Sequence, residues 1–168
     1  MNLQKVVRLS MFTALAIVLN IFESYVPIIN LNIPGVKVGL TNIVILSVIY
    51  LYGFKEALYV SIIRIFVVGI LRTGLFSTAF LFSLSGSIIS LLVMYMVNKI
   101  KMFSIVGVSI VGSIFHSIGQ IIMAYFLLKN INVMYYLPFI IIISIVTGII
   151  IGIISKEVIN HLKDNIKE

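Results

Sequence analysis

Seven side chains in this sequence have the chemistry to recognise a small molecule: Asn20, Lys37, Asn42, Arg64, Arg72, His116 and Gln120. The three cations would attract an anionic or carbonyl-rich group, and the amides and the imidazole would orient it by hydrogen bonds. His116 and Gln120 are spaced i and i+4, which puts them on one face of a helix. Arg64 sits inside an apolar run, where an ionisable group is costly and by default faces a cavity, a partner or a substrate path. Each residue also has a structural use. Arg64 could brace the bundle or bond helix-end carbonyls, and His116 and Gln120 could bond a neighbouring helix. Glu23 could simply neutralise Lys37 or Arg72. Jointly, the set describes a polar, cation-rich pocket.

Catalytic chemistry finds less support. The chain has no cysteine, which excludes disulfides, thiolate metal sites and cysteine nucleophiles. It has no "GxxxxGK[ST]" loop to cradle nucleotide phosphates. No metal set or cofactor motif is evident, and the expectation is a protein that is not an enzyme.

The elements that position these residues follow from composition. The chain has 168 residues, of which 61% are hydrophobic and 10% charged. A soluble domain carries about 25% charged residues, so the surrounding solvent here is lipid, in one transmembrane domain spanning residues 1–168. The net charge of +7 is scattered among apolar runs rather than clustered, which argues against nucleic acid as a partner. Six apolar segments emerge, at about 6–26, 38–52, 55–71, 76–98, 103–128 and 135–159. Backbone groups in lipid must be satisfied within each segment, so the expected fold is an all-α integral membrane protein with six transmembrane helices. The turn "LYGFKE" reads as a tight hairpin between the second and third.

With the N-terminus cytoplasmic, that side receives Lys5, Arg8, Lys55, Lys99, Lys101, Lys156, Lys163 and Lys167, and the outer side only Lys37, Arg72 and Lys129. This asymmetry places both termini in the cytoplasm. Residues 160–168 form a solvated cytoplasmic tail. The polar residues then gather in the outer half, beneath a first outer loop, "NIPGVKVGLTN". Its Pro34, Gly35 and Gly39 redirect the chain, Lys37 is placed to meet a ligand anion, and the loop reads as a lid. Tyr135 and Tyr136 fall at the outer interface, as belt aromatics or as the pocket rim. Small residues recur four apart: Ser10 and Ala14, then Ser109, Ser113 and Ser117, then Ser144, Gly148 and Gly152. For the last two groups the expectation is close helix packing.

The segments "PGVKVGLTN", "YGFKEALYVSIIRI", "FLFSLSGSIISLLVM" and "SIVGVSIVGSIFHSIGQ" resemble the Gx transporter family, whose members are often labelled heptaprenyl diphosphate synthase component I. Six short helices and a small-residue pair early in the first also resemble the substrate-binding S components of ECF transporters. The resemblance, over about residues 5–160, implies a bundle that captures a vitamin- or precursor-like solute from outside, in the bacterial plasma membrane. It implies a transmembrane coupling protein and cytoplasmic ATPases as partners, with Ser10 and Ala14 as the docking face; Ser10 stands where alanine is usual. The synthase label implies an accessory membrane subunit instead. Prenyl elongation needs aspartate-rich clusters that hold magnesium against a diphosphate. This chain has one aspartate, Asp164, and four glutamates far apart in sequence, Glu23, Glu56, Glu157 and Glu168. It cannot build that site alone.

Overall fold

The computed structural model describes residues 3–23, 25 and 39–166, the last three by backbone alone. Every regular element among the described residues is helical: α1 (Leu3–Glu23), α2 (Asn42–Leu51), α3 (Phe54–Val68), α4 (Thr78–Ile100), α5 (Ile105–Leu128) and α6 (Leu137–Ile166). A π-helical turn, Gly69–Thr73, extends α3, and a 3-10 turn, Ile131–Tyr136, leads into α6.

Local chemistry sets the boundaries. Gly53 adopts a φ of 103°, open to glycine and costly to other residues, and so makes the hairpin between α2 and α3 that "LYGFKE" predicts. Ser77 and Ser104 cap α4 and α5, their hydroxyls accepting the N–H groups of Phe80 at 3.2 Å and Gly107 at 3.1 Å. Lys101 and Lys129 end the same two helices in the left-handed conformation. Pro138 falls in the first turn of α6, where its missing N–H costs nothing.

Helix α5 is central, packed along α4 on one side and α6 on the other, while α1 lies on α3 and α2 against α6 and α3. Small residues make this closeness possible. A Cβ on Gly148 would stand 2.7 Å from the Cα of Ile110, and one on Gly152 2.7 Å from the Cα of Val106. Across the other seam, Gly119 faces Gly86, where a Cβ would come within 3.0 Å of the opposing Cα. Serines then tie the helices together. Ser117 and Ser144 share a hydrogen bond of 2.6 Å, and Ser90 donates to the Gly112 carbonyl at 2.8 Å. Close packing through these small residues is what the sequence predicts for the fifth and sixth helices.

The exterior is apolar. Phe139, Ile142, Val146, Ile150 and Ile153 are each more than half exposed along α6. Water would penalise a face of that extent, and hydrocarbon accepts it. Among the described residues, four helical segments are long and apolar enough to cross a bilayer: Leu3–Glu23, Thr78–Ile100, Ile105–Leu128 and Ile131–Lys163. The chain is a membrane protein.

The remaining two segments differ from the expected spans. Helix α2 begins at Asn42 rather than at 38, because Gly39 is left-handed and the turn through Leu40 and Thr41 must close first. Its 10 residues reach about 15 Å, half a hydrocarbon core. Helix α3 has 15 residues before its π-helical turn. Lys5 and Glu56, 2.5 Å apart, hold the starts of α1 and α3 at one end of the bundle. Glu23 and Gly39 meet at the opposite end of α1.

Candidate functional site

Asn20 and Glu23 occupy the last turn and a half of α1 and are 2% and 5% exposed. Three residues apart, they share a helix face. The Glu23 carboxylate accepts the backbone N–H of Gly39, whose φ of 89° turns the chain into α2. A turn later the Gly39 carbonyl accepts the N–H of Asn42 at 2.8 Å. Gly39 therefore lies over the site. A Cβ there would stand 3.0 Å from Asn42 Nδ2 and 3.5 Å from His116 Cδ2.

The opposite wall is α4. Gly86 lets the polar face of α5 approach: a Cβ at this position would come within 2.8 Å of the His116 carbonyl, 2.9 Å of Gln120 Cγ and 3.2 Å of His116 Cε1. The next residue, Ser87, receives a hydrogen bond from Arg64 Nη2 at 2.5 Å. One chain of contacts thus runs from Glu23 through Gly39 to Asn42 and His116, then through Gly86 to Ser87 and Arg64. Five helices contribute to it.

All the polar members are buried: Asn42 3%, Arg64 2%, Ser87 3%, His116 4% and Gln120 0% exposed. Burying a guanidinium without compensation would cost several kcal/mol. Arg64 Nε and Asn42 Nδ2 are buried donors with no acceptor among the described residues, and the Ser61 hydroxyl, one turn before Arg64, is likewise unmatched. Donors of this kind call for an acceptor-rich guest. No three His, Asp or Glu side chains among the described residues gather to hold a metal ion. The arrangement can bind and orient an oxygen-rich group; it offers no paired carboxylates for proton or group transfer.

Of the residues read from the sequence, Asn20, Asn42, Arg64, His116 and Gln120 come together here. Arg72 does not. It sits exposed on the π-helical turn, its guanidinium carbon 4.5 Å from the centre of the Tyr25 ring. Lys37, with most of "NIPGVKVGLTN", lies outside the described residues. Tyr135 is 81% exposed, in keeping with an interfacial aromatic. Ser10 and Ala14 are exposed on α1, and Ser10 borders a groove of about 420 Å³ between α1 and α3, floored by Val60. Ser10 bonds its own helix, at the Val6 carbonyl, at 3.0 Å.

Glu23, read from the sequence as a neutraliser of Lys37 or Arg72, joins the centre, and two further participants escape that reading: Gly86 and Ser87. The run "SLSGSIIS" in an otherwise apolar helix is the signal for the last two. Serine and glycine are so common in this chain that the run does not stand out.

The described residues form a helical membrane protein with a buried polar centre around Arg64. The chain belongs to the heptaprenyl diphosphate synthase component I family, whose model matches residues 12–158. No curated protein and no solved structure matches it. As a component I, it is a membrane-associated subunit and not itself an enzyme.

Proposed function

We propose that this chain is a non-catalytic, membrane-embedded component that works beside a separate prenyl diphosphate synthase and holds an anionic or carbonyl-rich small molecule in its polar centre. The family match across residues 12–158 carries the first part. A lone aspartate and dispersed glutamates assign the elongation chemistry to another chain. The basic surface around Lys99 and Lys101, at the exposed turn between α4 and α5, offers a soluble synthase an anchoring point together with the C-terminal tail. In this reading all six helical segments reside in the cell membrane with both termini cytoplasmic, α2 and α3 forming the short hairpin. Affinity purification of the tagged chain from its native membrane is the test. A co-purifying prenyl synthase supports the anchor; its reproducible absence from gently solubilised material counts against it.

A second reading, solute capture for uptake, is favoured by one observation. Five helices converge on Arg64, Asn42, His116 and Gln120 and bury them almost completely. A pure membrane anchor has no need of such a centre, whereas a capture subunit does. On that reading Ser10 and Ala14 present the face for a coupling protein, with ATPases beneath it. Recovery of coupling and ATPase subunits in the same purification, with no synthase, selects this reading over the first.

A further inference from the structure

Ser61 departs from the habit of other hydroxyls in this chain. Ser10, Thr13, Ser47 and Ser144 each donate to the carbonyl four residues earlier, which settles a hydroxyl inside an apolar helix. Ser61 is 2% exposed, and its Oγ has no partner among the described residues, that carbonyl included. Ala57 and Ile65, one turn to either side on the same face, are buried and apolar. An unmade hydrogen bond in such a place is destabilising, so the hydroxyl calls for an acceptor from elsewhere.

Arg64 follows one turn later, with Cβ atoms at this spacing about 5–6 Å apart. Long helical side chains lean back over the preceding turn, which carries the Arg64 stem across the turn of Ser61. Its Nη2 is engaged by Ser87 at 2.5 Å, and its Nε is the second buried donor without an acceptor. Ser87 accepts through its oxygen and so keeps its own hydrogen to give. The seam between α3 and α4 thus collects three donors around one permanent positive charge. Among the described residues no lysine and no other arginine is buried. Glu23, the buried carboxylate, is held by the Gly39 N–H at the turn into α2. A seam with one cation balances one negative charge, and any further charge on a guest would be buried uncompensated.

We infer that Ser61, Arg64 and Ser87 form a cradle for a single carboxylate of the bound molecule, and that the cradle rejects a diphosphate. This inference rests on the reading of the polar centre as a binding site, and it narrows the anionic or carbonyl-rich guest to one whose buried group carries one negative charge. Arg64 supplies the charge and the Nε–H, Ser61 bonds an oxygen from the inner side, and Ser87 both holds the guanidinium and donates. The centre is thereby separated from the chemistry of a neighbouring prenyl synthase, whose diphosphates carry more charge than this seam can balance.

The test uses the full chain in lipid nanodiscs, with sodium acetate and sodium butyrate as carboxylate probes. Sodium pyrophosphate is the polyanion probe, methyl acetate the neutral carbonyl, and sodium chloride the ionic-strength control. Thermal unfolding is followed against probe concentration for the parent, Ser61→Ala, Ser61→Thr, Arg64→Lys and Arg64→Gln. Carboxylates should stabilise the parent, and pyrophosphate should not. Ser61→Ala should need about 10-fold more carboxylate for the same stabilisation, the scale of one hydrogen bond to a charged group. Without probe its unfolding temperature should equal or exceed the parent's, because an unpaired buried hydroxyl has been removed; a bracing serine would give the opposite. Ser61→Thr should restore the carboxylate response. Arg64→Lys, which keeps the charge and loses Nε–H, should respond less than the parent, and Arg64→Gln not at all. A Ser61→Ala variant that is less stable or does not fold overturns the role of Ser61, as does one with the parent's carboxylate response. Stabilisation by pyrophosphate through Arg64 overturns the carboxylate cradle and leaves an anion centre standing, and stabilisation by methyl acetate alone leaves a carbonyl centre standing. No response of the parent to any probe, or equal responses in the parent and Arg64→Gln, overturns the binding centre itself.

Discussion

Arg64 of α3 donates to Ser87 of α4 across 2.5 Å, with both side chains almost wholly buried. The bond fixes a cation at the heart of an apolar bundle and leaves its Nε facing no described acceptor. On the proposed reading that guanidinium is a binding group for an oxygen-rich partner, and its loss should be felt in binding as well as stability.

Replacing Ser87 by alanine removes the acceptor and leaves Arg64 Nη2 unsatisfied. The expected cost is about 1–3 kcal/mol, the usual penalty for a buried polar group stripped of its partner. Thermal unfolding in detergent measures it. An unfolding temperature equal to the parent's would show that the hydroxyl does not hold the guanidinium in place.

Arg64→Ala and His116→Ala should each abolish binding of whatever ligand is identified, while leaving a folded protein in detergent. His116 lies beside both Gly39 and Gly86, where added Cβ atoms would stand 3.5 Å from its Cδ2 and 3.2 Å from its Cε1, so it sits between the two walls of the site rather than lining one of them. Full affinity in both variants would remove the site from consideration.

The seam between α5 and α6 should tolerate no side chain at Gly152, because a Cβ there meets the backbone of Val106 rather than a movable side-chain tip. Gly152→Leu should cost about 3 kcal/mol or more, at the upper end of overpacking. On the exposed face of α1, Ser10→Leu should change stability by about 0.5 kcal/mol or less, as surface substitutions do. Paired unfolding curves check the contrast, and equal losses at the two positions would contradict the packing described.

Gly39→Val combines backbone strain of about 1–2 kcal/mol with a Cβ at 3.0 Å from Asn42 Nδ2. Membrane insertion should survive, and ligand association should slow. If "NIPGVKVGLTN", residues 32–42, serves as a lid, as its sequence suggests, saturating ligand should protect it from protease in the parent and less so in the variant. Identical proteolysis with and without ligand in the parent would make the segment an ordinary connector.

Much of this centre is legible in the sequence for a plain reason. In a chain with so few polar side chains inside its apolar runs, each one that remains has to be justified by function or pairing, and Asn20, Asn42, Arg64, His116 and Gln120 stand out at once. The helical fold is legible for the same reason, since lipid leaves the backbone little else to do. What escapes depends on local geometry. The sequence puts Arg72 on the outer side with the other polar residues, but it sits exposed on the π-helical turn Gly69–Thr73, beside Tyr25. Helix α2 starts late because of a single left-handed glycine, which hydropathy does not register. Ser87 and Gly86 look like the packing serines and glycines around them, and only the structure separates Arg64's partner from the rest.

The most direct measurement of the central claim is mass spectrometry of small molecules extracted from the purified chain, compared with the Arg64→Ala variant prepared identically from the same membranes. The account predicts an acidic or carbonyl-rich compound, recovered near stoichiometrically from the parent and depleted at least about tenfold in the variant, the change expected for losing a charged hydrogen bond in a buried site. Indistinguishable extracts from the two proteins would contradict it, and would leave Arg64 as a brace of the bundle.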